Sequence, residues 1–166
     1  MAVIFANIGG NIGNIKLNIA KAIAAIGREF GPYEISRMVE SDPWGFDSSN
    51  SFYNIGIAFQ SEKNPYEILS VLQEIESRIS ATPHRDSEGG YKDREIDIDI
   101  IAIDDLKSDD KKLTLPHPCL AKRKFFLLPM IELAPEWRDP TTGLKPAEML
   151  ELLEKTESEE KKEVNE

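Results

Sequence analysis

Apolar, β-prone residues fill positions 2–8 and stop at Gly9-Gly10, which reads as a first strand. From Asn14, a helix-capping residue, Leu17, Ala20, Ile23, Ala24 and Gly27 recur at helical spacing to about position 28, and Gly31-Pro32 ends the run. Positions 33–40 read as a second strand, 41–50 as a polar, turn-rich loop, and 52–60 as a third strand. Asn64-Pro65 is a cap followed by proline at the first helical position, and Ile68, Leu69, Leu72, Ile75 and Ile79 carry the apolar stripe of a second helix. After a loop at 82–93, positions 95–103 alternate as a fourth strand, and short amphipathic helices follow near 122–132 and 146–155. The order β-α-β-β-α-β predicts a ferredoxin-like α+β fold of the split βαβ type. Its sheet is mainly antiparallel, two helices cover one face, the other face is open, and a C-terminal extension follows. A single domain is expected over 1–155, with the charged stretch 156–166 as a frayed tail.

The alternation of side chains says what the open face carries. Tyr53, Ile55, Ile57 and Phe59 form one row of the third strand, so Phe52 and Asn54 point the other way. Ile96, Ile98 and Ile100 form the apolar row of the fourth, so Asp97 and Asp99 oppose it. Two carboxylates two residues apart on a strand lie about 6–7 Å apart and can reach one cation or a pair of cations. Mg²⁺, a hard ion held by one or two carboxylates plus substrate phosphates, suits such a pair. A solvated strand face is the other reading, and Arg94 just before the pair favours the polyphosphate site.

Charge narrows the partners. Lys and Arg total 20 against 30 Asp and Glu, a net charge of −10, which argues against nucleic acid or an anionic membrane as partner. An RNA-binding sheet face is opposed further by Asp97 and Asp99. Against this acidity the cluster Lys111, Lys112, His117, Lys122, Arg123 and Lys124 stands out. His117 lies between two prolines, which either place it rigidly as a ligand or simply end a strand. Phe52 and Phe125 are either core or a pair of rings that sandwich a flat heterocycle, with the Asn54 amide reading its edge. Trp44 is either a lid residue or a local anchor. One cysteine, Cys119, fits a reducing compartment, and no apolar run approaches membrane-span length, so a cytoplasmic protein is expected. A monomer is the working expectation, although composition does not fix the oligomeric state. The phosphate-binding P-loop and the nucleophile elbow are absent.

Taken in order, these residues resemble the hydroxymethyldihydropterin pyrophosphokinases of folate biosynthesis. Ile8-Gly9-Gly10-Asn11 is similar to that family's Gly-Ser-Asn turn, Asp42-Pro43-Trp44-Gly45 to its pterin loop, and Phe52-Tyr53-Asn54 to its aromatic-x-Asn strand. Arg94 three residues before Asp97-Ile98-Asp99 matches its signature, and Leu113 to Pro118, then Arg123 and Phe125, match its nucleotide segment. The resemblance implies transfer of pyrophosphate from ATP to a reduced pterin, with Asp97 and Asp99 holding two Mg²⁺ ions. It implies a pterin site of Ser41, Asp42, Pro43, Trp44, Phe52, Asn54 and Phe125. It implies an ATP site of Gln73, Glu76, Arg94, Ile100, Lys112, Thr114, His117 and Arg123, with Arg94 and Arg123 also acting in catalysis. Where the family usually has Gly-Arg after the second helix, this chain has Ser80-Ala81, so His84, Arg85 or Lys92 is expected to supply the missing charge. The loops at 41–51 and 81–93 are expected to close over the ligands. A non-catalytic ligand- or metal-binding module of the same fold is the competing reading.

Overall fold

Strand β1 (Ala2–Gly10) lies inside an antiparallel sheet, with β4 (Phe52–Ser61) on one side and β5 (Asp97–Ile103) on the other. The computed structural model describes residues 1–41, 51–80 and 94–165. The far edge of β4 carries two short strands, β2 (Tyr33–Ile35) and β3 (Val39–Ser41), where the sequence pattern predicts one. The break falls at Ser36, whose hydroxyl accepts the Gly56 N–H at 2.8 Å and so replaces a regular ladder bond. With β4 between β1 and the β2–β3 edge, the topology is the expected ferredoxin-like split βαβ.

Helices α1 (Ile15–Phe30) and α2 (Pro65–Ile79) begin at the predicted caps. The Asn14 side chain accepts the Leu17 N–H and the Asn64 side chain accepts the Glu67 N–H. Helix α2 buries Ile68, Leu72 and Ile75 of its expected stripe, whereas α1 turns Ile19, Ala22 and Ile26 inward and leaves Leu17, Ala20 and Ala24 of its expected stripe exposed, and both pack on Ile4, Ile8, Ile57, Phe59, Ile98 and Ile100 of the sheet. The hairpin of β6 (Ser108–Asp110) and β7 (Leu113–Leu115) lies beside β5 and α2, and the Tyr66 hydroxyl donates to Asp110 to tie it to α2.

The second sheet face is only partly open, which corrects the expectation of an uncovered face. Helices α3 (Lys124–Leu133) and α4 (Pro146–Asn165) cover one end of it, where Phe5, Ile101 and Ala102 meet Phe126, Leu127, Met130 and Met149. Two local features make this possible. The register shifts between Phe5 and Ala6, opposite Ala102 and Ile100, so the bulge puts Ala102 beside Ile101 on the second face and returns Ile103 to the α1–α2 layer. Gly56 leaves room for α3, since a Cβ there would stand 2.5 Å from Pro129 Cβ. Among the described residues, these helices leave uncovered the end that carries Phe52, Asn54, Asp97 and Asp99.

Helix α4 continues through the charged stretch to Asn165. Glutamate and lysine are good helix formers, and the Lys124–Glu157 ion pair at 3.2 Å ties the charged part to α3. Among the described residues, no helix is long and apolar enough to cross a membrane.

If Gly56 is the space that admits α3, Gly56→Ala destabilises the fold by about 1–3 kcal/mol through overpacking. Urea unfolding followed by circular dichroism checks this. A midpoint equal to that of the parent chain would mean that α3 does not depend on this close approach.

Candidate active site

β5 is a sheet edge, so its outward backbone groups need partners other than a strand. Glu76 of α2 supplies one, its Oε2 accepting the Ile98 N–H at 3.0 Å, between the two aspartates. The His117 N–H supplies another by donating to Ile101 O at 2.8 Å. Asp97 and Asp99 then stand on the sheet face opposite the α1–α2 core, as the alternation predicts, close enough to the edge for Glu76 of α2 to reach Asp97. Arg94 Nη1 lies 2.8 Å from Asp97 Oδ2 in a largely buried ion pair. Arg94 is fixed through its backbone, because its N–H donates to Asn11 Oδ1 at 2.7 Å and its carbonyl accepts the N–H groups of Asn11 and Ile12. The Oδ1 atom of Asp97 is buried and receives no N–H or hydroxyl hydrogen bond among the described residues.

Glu76 is itself buried. Burial and then the charge of Asp97 push its carboxyl up to about 9, partly opposed by the Ile98 N–H, with Asp99 adding to the rise. At neutral pH it therefore holds a proton and adds no third negative charge beside the pair.

On the open end of the face lies a narrow slot of about 20 Å³, lined by Asn7, Gly9, Phe52, Asn54, Asp97, Asp99, Arg123, Phe125 and Phe126. Cross-strand register puts Gly9 opposite Asn54, and a Cβ on Gly9 would stand 2.3 Å from Asn54 Oδ1, so only glycine lets the amide lie over β1. Asn54 is buried, and its Nδ2 meets no acceptor among the described residues. A buried amide left in that state at a cleft wall points to a ligand. The Arg123 guanidinium lies 5.7 Å from the Phe125 ring and 5.1 Å from that of Phe126. Burial pulls it down to about 10, so it remains a cation at neutral pH. Asn7 Nδ2 donates to the Phe125 carbonyl at 3.0 Å.

A second cavity of about 200 Å³ opens beyond Asp99, between α2, β5 and the β6–β7 hairpin. Gln73, Glu76, Ile100, Lys112, Thr114 and His117 all line it, together with Lys111. His117 Nδ1 accepts the Cys119 N–H at 3.0 Å, so the neutral ring carries its hydrogen on Nε2. The basic cluster seen in the sequence divides here. Lys111, Lys112 and His117 face this cavity, Arg123 faces the slot, and Lys124 pairs with Glu157 on the surface.

Asp99 lines both spaces. The arrangement offers a polar cavity with cationic walls on one side, an aromatic and amide slot on the other, and two carboxylates at the junction. No group of three His, Cys, Asp or Glu side chains forms a self-sufficient metal site among the described residues. The aspartate pair instead fits a hard cation that completes its shell with substrate phosphates and water. Ser41 ends β3 opposite Phe52. Asp42, Pro43, Trp44, His84, Arg85 and Lys92, with the expected closing loops, lie outside the described residues. Sequence reasoning missed the structural parts played by Asn7, Gly9 and Asn11. The one available signal for Asn7 was a lone amide inside an apolar strand.

Comparison with known proteins bears directly on this arrangement. The 2-amino-4-hydroxy-6-hydroxymethyldihydropteridine pyrophosphokinase of Porphyromonas gingivalis is 34% identical over 142 residues, covering 84% of this chain and 95% of its own. That of Aquifex aeolicus is 32% identical over 155 residues, covering 90% of this chain and 94% of its own. A crystal structure of an HPPK-DHPS in complex with substrates superposes with a TM-score of 0.70 at 15% identity, a likeness of fold. That match takes in 95% of this chain but 44% of the other, so this chain spans less than half of the HPPK-DHPS polypeptide. The sequence model of the 7,8-dihydro-6-hydroxymethylpterin-pyrophosphokinase family matches residues 5–135. Because that match takes in every side chain of the slot and of the adjoining cavity, the chain belongs to the 7,8-dihydro-6-hydroxymethylpterin-pyrophosphokinase family.

Proposed function

We propose that this chain transfers the pyrophosphoryl group of ATP to the hydroxymethyl oxygen of 6-hydroxymethyl-7,8-dihydropterin in folate biosynthesis, using Mg²⁺ ions held by Asp97 and Asp99. Beyond family membership, the observation that carries the reading is that Asp99 lines both the slot and the polar cavity. Two substrates bound in these spaces would meet at the aspartates. The hydroxymethyl oxygen attacks the β-phosphorus of ATP, and the bond from that phosphorus to the α–β bridging oxygen breaks. AMP leaves with that oxygen, and the hydroxyl proton passes to solvent. Such a transfer depends on positioning and on neutralising phosphate charge. Bound Mg²⁺, read here as two ions, would supply most of that neutralisation.

The side chains divide the remaining work. Asn54 pairs with the polar edge of the pterin, and Phe52 and Phe125 take its faces, the slot widening to admit the ring. Arg94 and Arg123 set cations beside the transferred group. Gln73, Glu76, Ile100, Lys112, Thr114 and His117 form the walls for ATP. The free thiol of Cys119 suits the reducing cytoplasm in which we place the reaction.

Three outcomes are expected. Asp97→Ala and Asp99→Ala each lower AMP release by about 10²-fold or more, because each removes charge-stabilising oxygens; the melting temperature holds in Asp99→Ala and falls in Asp97→Ala, which breaks the largely buried ion pair with Arg94. Near-parental turnover in either variant would remove that aspartate from the metal site, and no AMP release from the parent chain would favour the non-catalytic module.

Asn54→Ala weakens pterin binding by roughly 1–3 kcal/mol and ATP binding far less, as read by calorimetric titration. Equal losses for the two ligands would make Asn54 structural.

The third outcome follows from Glu76. Its carboxyl is raised from 4.5 to about 9, so the folded chain keeps a proton that the unfolded chain releases between those values. The stability this provides is full below the lower value and is lost as pH climbs through the upper one. The metal-free melting temperature should therefore fall across that window, and Glu76→Gln should flatten the fall.

A further inference from the structure

Phe125 lies in the first turn of α3, where its carbonyl would normally accept the N–H four residues later. That residue is Pro129, buried within the helix, and proline has no N–H to give. The carbonyl turns to the sheet instead and accepts from Asn7 Nδ2 at 3.0 Å.

Asn7 is unusual for its place. It stands in β1 among Phe5, Ala6 and Ile8 and is 3% exposed. It pairs with Gly56 on one side and with Asp99 on the other, so its side chain shares the face of the aspartate pair and lines the slot. An amide buried there is costly unless it is bonded, and the Phe125 carbonyl supplies the bond. The bond also joins two distant parts of the chain, the middle of β1 and the start of α3. That first turn of α3 carries the Phe125 ring and follows directly on Arg123, the two groups that form one wall of the slot.

We propose that Asn7 is a positioning residue: by binding the carbonyl that Pro129 leaves without a helical partner, it holds the Phe125 ring at the spacing from the aspartates that a flat heterocycle requires. The inference rests on the reading of Phe125 as a stacking wall for the pterin. It makes Asn7 a determinant of pterin affinity that does not have to touch the pterin.

The test is a double-mutant cycle with Pro129→Ala. Alanine restores an N–H at position 129 for the Phe125 carbonyl and keeps the Cβ that lies against Gly56. Calorimetric titrations with 6-hydroxymethyl-7,8-dihydropterin, and separately with ATP and Mg²⁺, are made on the full chain. Asn7→Ala alone should weaken pterin binding about tenfold, the scale of one lost buried hydrogen bond, and change ATP binding by less than about threefold. In the Pro129→Ala background the same substitution should weaken pterin binding by no more than about threefold, because the carbonyl has another donor.

A tenfold loss in both backgrounds would mean that Asn7 acts on the pterin directly and would overturn the proposal. So would parental pterin affinity in Asn7→Ala, or equal losses for pterin and ATP. Asn7→Asp, which keeps the shape and loses the donor, takes the place of Asn7→Ala in both backgrounds if the alanine variant does not fold. Phe125→Leu separates the underlying reading. Unchanged pterin affinity in that variant would remove the stacking wall and the proposal with it. A loss in Phe125→Leu without one in Asn7→Ala would leave the wall standing and overturn the positioning role alone.

Discussion

The register of β1 between its two neighbours governs everything at the open end of the sheet. Gly9 stands opposite Asn54 and Asp97, and Asn7 stands opposite Gly56 and Asp99. Side chains alternate along a strand, so a slip of one residue in β5 would carry both aspartates into the layer under α1 and α2 and turn Ile98 and Ile100 out of it. Each buried carboxylate without a partner costs several kcal/mol, and each isoleucine expelled forfeits roughly 1.5–3 kcal/mol. Core and site are therefore specified together, because the apolar row under the helices obliges the polar row to stand over the slot.

The second face shows how a ferredoxin-like sheet can be closed at one end and left open at the other. Covering it completely would bury the aspartates, and leaving it bare would expose Phe5, Ile101 and Ala102. Helix α3 stops between these limits. It approaches where Gly56 has no side chain, and its first turn reaches the edge of the polar patch. One helix thus seals the apolar end with Phe126, Leu127 and Met130 and supplies Phe125 to the slot, with Arg123 just before it.

Electrostatics divide the same surface. The chain is acidic, yet the cations near the site are gathered at the junction and the cavity: Arg94 on Asp97, Arg123 beside the aromatic rings, and Lys111 and Lys112 on the hairpin. Glu76 would add repulsion if ionised. Its burial keeps it protonated at neutral pH, while its Oε2 still holds the Ile98 N–H at the sheet edge. The pair of aspartates then carries the negative charge that a polyphosphate-bound cation would meet, and Arg94 keeps that charge from standing alone.

By itself the sequence determined the element order, both helix caps and the face on which Phe52, Asn54, Asp97 and Asp99 stand. These follow from periods of 2 and 3.6 residues and from local cap chemistry, which a short window of sequence contains. Gln73, Glu76, Ile100, Lys112, Thr114 and His117 were legible as a set only through family likeness, since nothing local says that α2, β5 and a hairpin near position 112 enclose one cavity. Tertiary structure decided the rest. It split the expected second strand at Ser36, covered one end of the second sheet face, and divided one basic cluster between two spaces and the surface. It also gave Asn7 a partner 118 residues away. Each of these depends on which groups meet across the fold, and a hydrogen bond between β1 and α3, or a glycine that admits a helix, leaves no periodic trace in either segment taken alone.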